Sequence, residues 1–217
     1  MASSIDSIRG EILKNGFWSQ ENPEIGELLD DITRIHFKAS TPEGLRLCRT
    51  AAFKNKSVSD VIKSFFPQST LGFYRVYGRT RLTHCVLNRT DDMRILMVLG
   101  LSSGSEGTVY LESYKHRCEA TEAKNGLLAI PDENLSDESL KALDIVPQHI
   151  RMARGGLAIV DAREWWRIGR GKWALLGFMI PDEVPHWTPL RFSVNLKNII
   201  DEMISGTMGM NVVYFED

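Results

Sequence analysis

Apolar residues recur at helical spacing through the first third of the chain and then give way to short β-prone runs. Ile5, Ile8 and Ile12 share one face of a helix predicted from Ser4 to Asn15, with Ser3 or Ser4 as cap and Gly16 as stop. Asn22-Pro23 opens a second helix, because proline is tolerated at the first helical position, and Ile25, Leu28, Leu29, Ile32 and Ile35 follow at helical spacing. Thr41-Pro42-Glu43 repeats the device and predicts a third helix to Ala52 or Phe53. Ser57 to Phe66 makes a fourth before Pro67.

From Thr70 the pattern changes. Leu71–Tyr77, Arg81–Leu87 and Arg94–Leu101 are rich in β-branched and aromatic residues and are separated by polar turns. Thr108–Leu111, Gly126–Ile130, Val146–Met152, Leu157–Val160 and Trp173–Ile180 continue the series, interrupted by a capped helical turn at Ser136–Lys141. Ser102–Gly107 reads as a plain turn, since it lacks the lysine of a phosphate-binding loop. Pro181, Pro185 and Pro189 mark a rigid loop carrying His186 and Trp187, and Leu190–Ile204 begins as strand and ends as helix. Helices followed by short, closely spaced strands predict an α+β chain whose strands form a sandwich or barrel, because a parallel doubly wound sheet needs a helix between strands. We expect one domain over residues 1–217, helical over 1–68, with the β core at 69–217 and a helical insertion near 136–143.

The composition narrows the functional classes. A formal net charge of −2 gives no global attraction to nucleic acid or an anionic membrane. Cys48, Cys85 and Cys118 are odd in number and widely spaced, as for reduced thiols rather than a disulfide framework. The N-terminus lacks the apolar core of a signal peptide, and no run approaches the about 18 apolar residues of a membrane span. These features predict a cytoplasmic protein whose partner is a small molecule. His36, at the end of the second helix, reads as a dipole-compensating residue.

Gly155–Gly169 is the most site-like stretch: a glycine pair, a buried aliphatic strand, then Asp161, Arg163, Glu164, Trp165, Trp166 and Arg167. With Arg81–Val86 and Gly107–Arg117, it resembles three ordered segments of the phytanoyl-CoA dioxygenase-like branch of the iron and 2-oxoglutarate oxygenases. That resemblance implies a double-stranded β-helix, or jelly-roll, carrying the helices. It also implies where an iron triad of two imidazoles and one carboxylate would fall. The first histidine is His84, the carboxylate position is Val86 and the distal histidine position is Trp166. The family's cosubstrate arginine falls among Leu175, Leu176 and Gly177. His116, His149, Asp161 and His186 are the residues left to supply replacement ligands.

The resemblance aims Tyr74, His84, Arg163, Trp165, Trp166 and Arg167 at the barrel mouth. His84 is the candidate acid or base. Arg163 and Arg167 are candidates to stabilise charge on a carbonyl oxygen, with Tyr74, Trp165 and Trp166 as substrate contacts. The leading expectation is a cofactor-independent isomerase or cyclase of natural-product biosynthesis that binds no metal and acts on an apolar or polycyclic molecule. The alternatives are a working iron/2-oxoglutarate dioxygenase and a non-catalytic ligand-binding or partner subunit. Trp165-Trp166 as rim packing and Asp161-Arg163 as a turn-stabilising pair are the structural readings of the same residues.

Overall fold

The structure is a computed structural model that describes residues 4–34, 39–86, 89–117, 123–124 and 126–216; His36 and Cys118 lie outside these. The helices form where their caps are written. In α1 (Ile5–Asn15) the Ser4 hydroxyl accepts from Ser7 N, and Gly16 closes the helix at φ 75° with its N–H on Ile12 O. Asn22 Oδ1 accepts from Ile25 N at the start of α2 (Pro23–Arg34), and Thr41 caps α3 (Pro42–Cys48) in the same way. The third helix is shorter than its pattern predicts: at Arg49–Phe53 the winding widens into a π turn before Asn55 caps α4 (Lys56–Phe65).

Two six-stranded sheets face one another. The first has the order β1 (Phe17–Glu21), β9 (Gly156–Asp161), β4 (Ile95–Leu101), β11 (Trp173–Met179), β2 (Ser69–Tyr77), β13 (Met208–Met210). The second has the order β6 (Ala123–Lys124), β7 (Leu127–Ile130), β3 (Thr83–Val86), β10 (Trp165–Arg170), β5 (Ser105–Leu111), β8 (Val146–Met152). Consecutive strands therefore alternate between sheets from β2 to β5 and again from β8 to β11. This is the jelly-roll path the resemblance implies. A parallel pair, β12 (Leu190–Ser193) with β14 (Val212–Phe215), and α6 (Lys197–Met203) complete the C-terminal end.

Three apolar clusters hold these layers. Tyr74, Leu96, Val98, Ile159, Leu176 and Phe178 point from the first sheet toward the helices, where they meet Ile25, Leu29, Leu45 and Ile62. Phe73, Met97, Leu99, Val160, Leu175 and Met179 point the other way, into the space between the sheets, and meet Val86, Val109, Trp166 and Ile168. A smaller cluster of Cys85, Tyr110, Ile130, Leu140, Ile145 and Trp165 lies outside the second sheet under α5 (Asp137–Ala142).

Burial on both faces explains why β4, β9 and β11 are continuously apolar, as strands covered on both sides are. It also explains a strand the pattern does not predict. In β1, Phe17 packs between the sheets while Trp18 packs under the helices, so both neighbours are apolar and no period of two appears. Trp165–Arg170, expected as the rim ending the preceding strand, is instead strand β10, paired with β5 and β3.

Candidate functional site

His84, Val86 and Trp166, the positions to which the resemblance assigns a triad, lie beside one another between the sheets. Trp166 on β10 is the register partner of His84 on β3, and their rings lie 5.5 Å apart at 33° on the inward face. Trp166 is 1% exposed, and its other neighbour is Trp173, at 6.1 Å between ring centroids. Val86 is the next inward residue of β3 and is equally buried. Leu175, where the cosubstrate arginine would fall, belongs to the same apolar cluster. His84 Nδ1 is buried without a hydrogen-bond partner, and burial lowers the imidazole pKa, so the ring is neutral at pH 7.

This donor set does not fit iron. A facial triad needs two imidazoles and a carboxylate with open coordination positions. Here one imidazole faces an aliphatic side chain and an indole. Among the described residues no three His, Cys, Asp or Glu side chains cluster as metal ligands. The possible replacements are dispersed: His149 on β8 has its Nδ1 3.2 Å from Thr108 Oγ1 on β5, Asp161 is held by Arg163, and His116 and His186 line different clefts.

The other expected site residues divide among three surfaces. Tyr74 turns away from the interior: its hydroxyl donates to Gly44 O at 2.8 Å under the helices, and burial raises its pKa well above the ordinary phenol value. Tyr74→Phe should therefore cost about 1 kcal/mol in stability, read by denaturant titration, and leave ligand binding unchanged. Arg167 is exposed on the outer face of β10. Trp165 and Arg163 lie at the outer rim of the second sheet, on the side opposite Trp166.

At that rim is an open cleft of about 600 Å³. Its floor is the outward face of the second sheet, Cys85, Leu128 and Trp165; its walls are Tyr114–Arg117, Arg89–Asp91 and Arg163. Arg163 is clamped in place. Nε and Nη2 donate to the Asp161 carboxylate at 2.9 and 2.6 Å, Nη1 donates to Asp91 O, and the guanidinium lies 5.3 Å over the Tyr114 ring. Burial opposes its charge, but the Asp161 contacts outweigh this and raise its pKa. The turn-stabilising reading of Asp161-Arg163 thus describes the pair's geometry, while the remaining guanidinium edge lines the cleft.

Glu164, which the sequence reading leaves without a role, holds the cleft wall. It is 0% exposed and accepts from Glu112 N, Ser113 Oγ and Tyr114 N, each at 2.8 Å. Ser113 Oγ in turn accepts from Trp165 N at 2.8 Å. Gly16 makes the approach possible: a Cβ there would sit 2.6 Å from Glu164 Oε1. Burial pushes the Glu164 carboxyl up to about 8, against the lowering effect of its three donors. In the sequence this wall appears only as Tyr114-Lys115-His116-Arg117, the end of the Gly107–Arg117 segment that carries the resemblance.

A second cleft opens beside the first and shares Arg89 with it. It is lined by Phe73, Arg75, Gly126, His186 and Trp187. Trp187 stands edge-on to Phe73 at 5.6 Å and donates to Glu183 Oε1, while Arg94 Nε reaches Glu183 Oε2 at 3.0 Å.

No family model and no curated protein matches this sequence. Solved structures do match in three dimensions. The alpha ketoglutarate dependent epimerase SnoN of nogalamycin biosynthesis, in complex with Fe3+, alpha ketoglutarate and nogalamycin RO, superposes with a TM-score of 0.58 at 10% identity, over 81% of this chain and 83% of that one. HygX from Streptomyces hygroscopicus with iron bound gives 0.54 at 9% identity, over 83% and 88%. EctD from S. alaskensis with 2-oxoglutarate and 5-hydroxyectoine gives 0.52 at 12% identity, over 84% and 79%. The chain thus has the jelly-roll fold of these iron and 2-oxoglutarate enzymes.

Proposed function

We propose that this chain is a metal-independent enzyme of small-molecule tailoring, an isomerase or cyclase, whose ligand sits in the rim cleft rather than between the sheets. One observation supports this reading: Trp166, to which the resemblance assigns the distal iron-ligand position, is 1% exposed beside His84, while the open cleft lies on the outer side of the second sheet. The neighbours' association with iron, alpha ketoglutarate and small-molecule products supports the general kind of protein. It does not supply a step, since the donor set here cannot hold their metal.

Within the cleft the chemistry available is acid–base and electrostatic. Arg163, fixed by Asp161, faces a bound molecule with a preorganised positive charge that stabilises an oxyanion without reorganisation. His116 lines the same space and serves as the proton carrier. Tyr114 and Leu128 hold an apolar body in one reactive conformer. His84, the base expected from the sequence, lies half-buried beside Trp166 on the face of the second sheet opposite the cleft.

The test is untargeted turnover. Protein incubated with a small-molecule extract should give a product of unchanged mass, and the conversion should survive chelator and exclusion of oxygen. A product heavier by one oxygen atom that requires added iron and 2-oxoglutarate would overturn the proposal.

A further inference from the structure

We infer that the rim cleft is built for an organic anion: a carboxylate-bearing molecule whose apolar body rests on Leu128 and the Tyr114 ring and whose charge is met by Arg89, Lys115, Arg117 and Arg163. The inference rests on the rim-cleft reading above and adds the class of ligand.

The argument is one of charge placement. In a chain with net charge −2, four permanent cations converge on one cleft, and Asp91 is the only carboxylate side chain lining it among the described residues. Two of the acids that pair with the other cations lie behind them. Asp161 and Glu183 are both 1% exposed, under Arg163 and Arg89, and Glu112 lies three residues back from Lys115. Asp91 is itself occupied, its carboxylate 2.6 Å from Arg117 Nε.

The cationic field extends past Arg89 into the neighbouring cleft, where Arg75 continues it. The Lys115 and Arg117 pairs are largely solvated, so exchanging a protein carboxylate for a ligand carboxylate there costs little. The floor is of the opposite character. Leu128 and the Tyr114 ring are apolar, and the ring is already braced by Arg163. A cleft with an apolar floor and a cationic rim favours an amphipathic anion over either a neutral polycycle or a free inorganic ion. This sharpens the apolar or polycyclic ligand expected from the sequence.

The test uses a matched pair of probes, 2-naphthoate and 2-naphthalenemethanol, titrated calorimetrically into the intact protein and into Lys115→Ala, Arg117→Ala and Leu128→Trp variants. Thermal melts confirm that each variant is folded. The inference predicts that naphthoate binds at least about tenfold more tightly than the alcohol, and that this advantage shrinks with added salt. It also predicts that either alanine variant reduces the advantage several-fold and that Leu128→Trp abolishes binding of both probes. Equal affinity for the two probes, lost in Leu128→Trp, would overturn the anion assignment and leave the cleft reading standing. Naphthoate binding untouched by any variant would overturn both. Absence of naphthoate binding to the intact protein would overturn the anion assignment.

Discussion

Trp166→Ala is expected to destabilise the protein by about 3–5 kcal/mol, because removal of a fully buried indole forfeits its transfer free energy and leaves a cavity. For a chain of this size that lowers Tm by roughly 10 °C. The indole is 1% exposed, stacked between His84 and Trp173, and belongs to the cluster that joins the two sheets. The void cannot close by local collapse, since Trp173 is already in contact with Gly107, where a Cβ would lie 2.4 Å from its ring. A residue kept for ligand contact would behave differently: its replacement would alter binding and leave stability nearly unchanged or improved. Thermal melting therefore distinguishes core from site. A variant that melts with the parent would show that this indole is not packing material.

Glu164→Ala should cost about 3 kcal/mol or more, because it strands Glu112 N, Tyr114 N and the Ser113 hydroxyl in a buried setting. The effect should also reach the cleft, whose wall begins at Tyr114, so binding of the naphthoate probe should weaken in the same variant. The carboxyl has a pH signature. Its pKa moves from the ordinary 4.5 up to about 8 on folding, chiefly through burial, so the folded state binds the proton more tightly than the unfolded state. The stabilising contribution of this group is therefore complete below 4.5 and is lost as pH rises from 4.5 through about 8. Tm should fall across about pH 5 to pH 8 in the parent, and the fall should be smaller in Glu164→Gln, which cannot ionise. Identical slopes in the two proteins would remove Glu164 from this role.

How far the sequence is readable depends on the kind of interaction. Asn22-Pro23 and Thr41-Pro42 are local signals whose hydrogen bonds close within one turn, and both helices start where those residues place them. The strands β4, β9 and β11 are legible as apolar runs, but not their facing. With helices on one side and the second sheet on the other, every position is buried and the period of two vanishes.

That loss of facing is why Tyr74 was aimed at the mouth by resemblance and instead bonds Gly44 beneath the helices. The His84–Trp166 juxtaposition was readable, because matching segments to a known strand order predicts which strands become neighbours. The division of Trp165 from Trp166 by the two faces of one strand, and the burial of Glu164, were not. A run such as Asp161-Ala162-Arg163-Glu164 has the composition of a solvated turn, and only long-range packing against Gly16 and Ser113 removes its carboxylate from water.

The proposed function requires that the Trp166 indole take the place of this fold's iron site and that turnover need no metal. The most direct measurement is anaerobic titration of the purified protein with iron(II) in the presence of 2-oxoglutarate, followed on admission of oxygen by assay for succinate. We predict no stoichiometric iron binding and no succinate above the protein-free control. One bound iron per chain with succinate formed in proportion to the protein would contradict the account.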